Sequence, residues 1–182
     1  VWVVLPPEQK QRFSTAGEDD TSTTRLTYWT NGIKLANEHP VLGIGYKNWM
    51  VVYTDRFGGM LEAGRRVELP HNIFIEALAE LGYLGLGALL FLIVANFRLN
   101  AMTRRTARRL GENGRLPGHL AWGFDGALIG FMVSGSFVTV LYYPYLWINL
   151  AMSVALHRST ARAARFYEGR VQQAEAVRQS AS

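Results

Sequence analysis

From residue 71 onward the chain alternates between long apolar runs and short arginine-rich ones. Residues 81–97 hold no charged side chain and residues 120–157 hold only Asp125, whereas residues 1–70 carry 16 of the 33 charges. A helix rising ~1.5 Å per residue needs about 20 mainly apolar residues to cross a hydrocarbon layer roughly 30 Å thick. Three stretches predict such helices. The first is 73–97, with Glu76 and Glu80 confined to its first two turns; the second is 120–140; the third, shorter, is 141–157, with Pro144 in a tight reversal "LYYPYLW". The pattern predicts an all-α membrane protein, a multispan helical bundle.

Charge then sets the orientation. The connection 98–118 has six Arg against one Glu and the tail 158–182 has five Arg against two Glu, so both read as cytoplasmic by the positive-inside bias. Residues 1–70 have eight basic and eight acidic side chains, and an odd number of crossings separates them from those basic segments. They are expected to form a long, partly helical loop outside the membrane, periplasmic over 6–70 in a bacterium, with the end of a preceding span at about 1–5. The expected order is then a transmembrane helix (71–97), a basic cytoplasmic loop (98–119), a transmembrane hairpin (120–157) and a basic cytoplasmic tail (158–182). Tyr142, Tyr143, Tyr145 and Trp147 fall at the outer interface, where amphipathic rings are favoured. The tail can lie as a basic amphipathic helix on anionic membrane lipids.

Composition narrows the chemistry. The isoelectric point of 9.7 suggests nucleic acid, but the excess charge flanks apolar runs instead of covering one folded face, so no nucleic-acid partner is expected. Zero cysteines exclude disulfides, thiolate metal sites and a cysteine nucleophile. The opening "VWVVLPPEQ" reads as the end of an apolar segment, so the sequence is expected to be the C-terminal part of a longer protein.

Within the outward loop, an N-cap at Thr21 or Ser22 and apolar positions Leu26, Trp29, Ile33 and Leu35 or Ala36 predict a helix ending before Pro40. Arg25 then sits one turn ahead of Trp29 on the same face. "HPVLGIGYKN" reads as a turn segment; its Gly43-Ile44-Gly45 lacks the third glycine and βαβ setting of a dinucleotide site. Glu18, Asp19 and Asp20 could ligate a divalent cation, though adjacent carboxylates in a Ser/Thr-rich stretch more often form a solvated loop. His39 reads as structural, and His119 and His157 as interfacial. Asp125 is either hydrated near the cytoplasmic face or an intramembrane functional group.

Three stretches together resemble the O-antigen ligase and polymerase family of bacterial envelope glycan enzymes. They are "LPPEQKQRFST…DDTSTTRLTYW", "HPVLGIGYKNW" and "HNIFIEALAELGYLG". The last fits the family's pattern of His, Asn, nine residues, Gly, two residues, Gly, at His71, Asn72, Gly82 and Gly85. The Ser/Thr-rich approach to Arg25 is similar, more narrowly, to O-glycosylation ligases that accompany exosortase systems. The resemblance implies a glycosyltransferase of the membrane-embedded C type, needing no metal or other cofactor, in the bacterial inner membrane. Its donor would be a glycan on undecaprenyl diphosphate, and its acceptor a hydroxyl of lipid A core, another glycan or a protein. It also implies a further arginine upstream of Arg25, without which this portion alone should be inactive.

On that resemblance, Arg25 and secondarily Arg12 would bind the departing diphosphate, since a guanidinium stays charged and grips phosphate oxygens bidentately. His71 would accept the acceptor's proton. Glu76 and Glu80, on one helix face, would orient the imidazole or bind sugar hydroxyls, with Glu76 the nearer, and Asn72 would cap the helix or hold a loop. Gly82, Gly85 and Gly87 would let helices approach closely. Rival expectations are a polymerase of the same family, a transporter or flippase using Asp125 and Glu80 as coupling residues, and a non-catalytic scaffold.

Overall fold

The computed structural model describes residues 20–58 and 67–180. Arg12, Glu18, Asp19 and the apolar segment at 1–5 lie outside the described residues. Every regular element among the described residues is helical: α1 (Asp20–Glu38), α2 (Trp49–Phe57), α3 (Ile73–Arg109), a 3-10 turn (Gly111–Gly114), α4 (Arg115–Gly135) and α5 (Pro144–Ser180). The chain divides into two compact units, residues 1–87 with 135–141, and residues 88–134 with 142–182.

The first unit is built on an aromatic core rather than being an open loop. Tyr28, Leu35, Trp49, Tyr53, Phe57, Val67 and Ala79 form it. Trp49 stacks on Tyr53 at 5.1 Å, and Tyr28 and Phe57 each meet Tyr53 at 5.0 Å. α1 buries Tyr28, Asn31, Gly32, Leu35 and Ala36, the i, i+3, i+4, i+7, i+8 spacing of one helical face. This corrects the expected stripe, because Leu26 and Ile33 are exposed. The buried face reads as polar only until its hydrogen bonds are seen. Asn31 donates its amide to the Tyr53 hydroxyl (2.8 Å), and the Glu68 backbone N–H donates to the Tyr28 hydroxyl (3.1 Å). Burial raises the Tyr53 phenol above its ordinary pKa of 10.0.

α3 begins well and then breaks. Gly82 has φ 68° and ψ −171°, a conformation for which only glycine is suited. In an unbroken helix the Tyr83 N–H would donate to the Ala79 carbonyl. Here it donates to the Pro40 carbonyl (2.8 Å), while the Ala79 and Glu80 carbonyls accept from the Ile44 and Gly45 N–H groups (both 2.9 Å). The segment 40–45 therefore patches the break, bond for bond. Contact is so close that a Cβ on Gly82 would lie 2.5 Å from the Val41 carbonyl oxygen, and one on Gly43 would lie 2.5 Å from that of Ala79.

The Glu80 carboxylate extends the patch. Its two oxygens accept from the Lys47 N–H (2.9 Å) and the Trp49 N–H (3.2 Å). Trp49 is the first residue of α2, whose Asn48 provides no side-chain cap, so a carboxylate from another helix supplies one.

In the second unit α3 presents Leu89, Ile93, Asn96, Asn100, Thr103 and Ala107 as a buried stripe at alternating spacings of four and three. Its polar members bridge to the neighbouring helices. Asn96 donates to Asn149 (3.1 Å), Asn149 to the Phe124 carbonyl (3.2 Å), and Asn100 to Asp125 (2.8 Å), while Thr103 meets His157 Nδ1 (3.0 Å). Arg104 pairs with Asp125 and lies 4.0 Å from the Trp122 ring centroid.

Several expected boundaries move. The stretch 98–119, expected as a loop, continues α3 to Arg109 and starts α4 at Arg115, leaving only a tight turn. Gly114 permits that turn, since a Cβ there would collide with the Ala107 carbonyl. The second apolar helix ends at Gly135, not 140, and α5 starts with Pro144 at its first position, where a missing N–H costs nothing, and runs on through the tail. Among the described residues one helix, Ile73–Arg109, is long and apolar enough to cross a membrane, with mean hydropathy 2.1 over its most apolar 18 residues. The helices α4 and α5 do not reach that measure, because α4 stops at Gly135 short of the mainly apolar residues 137–141 and carries His119, Asp125 and several glycines, and the apolar start of α5 gives way to arginines from Arg158.

Two outcomes test the patch. Gly82→Ala should destabilise the protein by more than ~2 kcal/mol through positive-φ strain and overlap, whereas Gly169→Ala, in open space on α5, should be neutral or gain up to ~1 kcal/mol; thermal unfolding of detergent-solubilised protein checks both. Glu80→Gln leaves one fewer acceptor for the part-buried Lys47 and buried Trp49 N–H groups and should cost about 1–3 kcal/mol in the same measurement.

Candidate functional site

His71 lies just before α3, after Pro70, and is half-buried with φ 47°. The left-handed region is uncommon for a residue with a Cβ, though histidine, asparagine and aspartate visit it more readily than others. The turn arises because Asn72 must cap α3. Its side-chain oxygen accepts from the Phe74 N–H (2.9 Å) and the Ile75 N–H (3.2 Å), and its carbonyl accepts from Glu76 N–H (2.9 Å).

The segment leading to His71 is pinned by α1 and α2. Trp29 donates its indole N–H to the Pro70 carbonyl (2.8 Å), and Trp49 donates its own to the Glu68 carbonyl (2.9 Å). Gly32 lets α1 cross the start of α3, since a Cβ there would lie 2.7 Å from Ile75. Arg25 is half-buried on α1, one turn before Trp29. The i, i+4 spacing puts their Cβ atoms about 6 Å apart on one face, so Arg25 lies on the side of α1 whose Trp29 bonds to Pro70. No carboxylate among the described residues pairs with Arg25.

The side chain that meets the imidazole is Thr139, whose Oγ1 lies 3.4 Å from His71 Nδ1. Nothing in "SGSFVTVLYY" singles it out, because a threonine among apolar residues fits a spanning helix equally well. It is available because α4 stops at Gly135, where a Cβ would lie 2.8 Å from Ile73, leaving 136–143 non-helical.

The two glutamates separate. Glu76 is 3% exposed, near the Leu141 backbone N–H, and its Oε2 has no hydrogen-bond partner. Glu80 is 1% exposed with both oxygens engaged by backbone N–H groups. It is committed to holding the segment at 47–49, so the expected role of orienting the imidazole or binding sugar passes from it. Gly82 works by conformation and close approach to a loop rather than to another helix; Gly85 is crowded by Leu81 of its own helix, and Gly87 has nothing within 4 Å. Asp125, the other candidate, is 5% exposed and bonded to both Arg104 and Asn100. Among the described residues no group of three or more His, Asp or Glu could hold a metal ion.

Comparison with known proteins gives the family. The profile of the O-antigen ligase family matches residues 3–95, just over half of the 182-residue chain. The chain is also 35% identical over 85 residues to "Exopolysaccharide production protein ExoQ" of Rhizobium meliloti (strain 1021), an alignment covering 44% of this chain and 20% of that protein. It therefore spans about a fifth of the curated relative's length. No solved structure matches. The matched span takes in α1, the patching segment, His71 and the broken start of α3, and on it the chain belongs to the O-antigen ligase family.

Proposed function

We propose that the protein transfers a glycan from a lipid diphosphate to an acceptor hydroxyl at the outer face of the bacterial inner membrane, with His71 as general base and Arg25 as clamp on the leaving diphosphate. The observation that carries this reading is the Trp29–Pro70 hydrogen bond, which ties the helix bearing Arg25 to the residue preceding His71. A base and a phosphate-binding cation are thus presented from one packed unit, at the start of the one described helix apolar enough to span a membrane.

The chemistry follows from what each group can do. As the anomeric C–O bond to the diphosphate breaks, negative charge builds on phosphate oxygens, and a guanidinium with no competing carboxylate among the described residues can take it up through two parallel hydrogen bonds. The acceptor oxygen attacks the anomeric carbon from the opposite face, inverting it, and gives its proton to His71. Thr139 decides which ring nitrogen is basic. If Nδ1–H donates to Thr139 Oγ1, the lone pair is left on Nε2, free to take that proton. Asn72 fixes the backbone that carries the ring.

Within the family, similarity to a protein named for exopolysaccharide production favours a growing glycan as acceptor, hence polymerisation, over lipid A core or protein. Transport is less well supported, since Asp125 is ion-paired and Glu80 is bonded to backbone.

Activity in the full-length protein is measured as conversion of lipid-linked glycan in native membranes. His71→Asn, chosen because asparagine tolerates positive φ, should lower transfer about 10²–10⁴-fold with donor accumulating on the outer face. Arg25→Ala should lower it about 10²–10³-fold and Arg25→Lys by less, since lysine keeps charge but not the fork. Unchanged transfer in both sets would sink the proposed site; glycan retained on the cytoplasmic side would point to transport instead. Thr139→Val should lower kcat about tenfold with little change in KM, and Thr139→Ser should restore it.

A further inference from the structure

A second charged constellation lies in the other unit, where none of the proposed transfer chemistry takes place. A cavity of about 490 Å³ opens at the turn between α3 and α4, lined by Arg104, Arg108, Arg115, His119 and Trp122 among others. Its floor is fixed: Arg104 lies against the Trp122 ring and is neutralised by Asp125. Its rim is not neutralised to the same degree. Arg108 has no carboxylate partner among the described residues, and Arg115 meets Glu112 only in an exposed i, i+3 pair of little strength. The tight turn is what brings these side chains together, since Gly114 packs on Ala107 and Gly118 faces it.

The surroundings are apolar. At the hollow itself Trp122 is 64% exposed, and on the adjoining flank of α4 Leu116 (68%) and Leu120 (41%) are exposed one helical turn apart. Such residues next to a basic hollow are unfavourable in water but suited to a surface where acyl chains meet headgroups. Arg104 lies six residues beyond Arg98, the first charge after the apolar run of α3, or about 9 Å at ~1.5 Å per residue. The headgroup layer on each side is roughly 5–8 Å thick, so Arg104 reaches its outer edge.

We infer that this cavity binds the phosphate of an anionic phospholipid, with Arg108, Arg115 and His119 donating to the phosphate oxygens over the Arg104–Trp122 floor and the acyl chains passing over the exposed Trp122 ring onto the α4 flank of Leu116 and Leu120. The volume suits a glycerophosphate headgroup with some water better than a bare ion. The inference rests on reading α3 as a membrane span, and not on the transfer reaction. The ligand's recognition is by its phosphate, so free phosphate is the competing source; the apolar flank favours the lipid.

The test uses full-length protein extracted from bacterial membranes and examined by native mass spectrometry for retained phosphatidylglycerol, cardiolipin and phosphatidylethanolamine. The wild type should retain anionic lipid in preference to phosphatidylethanolamine, and Arg108→Gln/Arg115→Gln should retain at least fivefold less. Arg162→Gln/Arg165→Gln, which removes the same charge from the exposed part of α5, should retain as much as the wild type. Equal loss in both variants would reduce the effect to diffuse attraction and overturn the site. So would unchanged retention in the first, or displacement of the lipid by millimolar inorganic phosphate. Release of the wild type from membranes by alkaline carbonate would overturn the membrane span beneath it as well, while glycan transfer by the first variant, measured separately, leaves the His71 reading independent of either result.

Discussion

A helix that breaks in apolar surroundings leaves backbone groups with no water to satisfy them, and each one left unpaired costs on the order of 1–3 kcal/mol. In this chain the break at Gly82 is answered by the backbone of residues 40–45 and the answer is completed by the Glu80 side chain. Nearly every feature of the first unit follows from that exchange. Gly43 must lack a Cβ to approach, Lys47 must turn its N–H inward, and α2 starts where the carboxylate can cap it.

His71 inherits its position from the same construction. α1 and α2 are locked to each other by aromatic rings, and both reach the non-helical approach to α3 through indole N–H groups on Pro70 and Glu68. The candidate site is thus supported by a folded unit and not by the apolar helix alone. The second unit relies on a different force. Its helices are joined by amides, a hydroxyl and an ion pair along one stripe of α3, the kind of contact that retains its direction where the hydrophobic effect no longer drives association.

Much of this was legible from residue order, and the failures have physical causes. Apolar length gave α3, and the spacing of Arg25, Trp29 and the His71–Asn72 pair gave the parts of the candidate site. The buried face of α1 was misread because Tyr28 and Asn31 count as polar until partners 40 and 22 residues away satisfy them. Glu80 was misread for the converse reason: a carboxylate near a candidate base suggests chemistry, and no local pattern reveals that its partners are backbone N–H groups more than thirty residues earlier. Thr139 carries no local signal, since its proximity to His71 depends on a helix ending four residues before it. The extension of α3 through 98–109 was hidden by arginine, a good helix former whose charge reads as loop.

The patch over Gly82 also sets what can vary. Its hydrogen bonds run in register from Pro40 through Trp49, so the number of residues between those positions is fixed more tightly than their identity. Val41 and Leu42 face outward and are free to change side chain. One residue added or removed there would leave the carbonyls of Ala79 and Glu80 facing the wrong donors. Natural variation in this stretch should therefore proceed by substitution while length stays constant, making an ungapped segment, more than any conserved letter, the mark of an intact site.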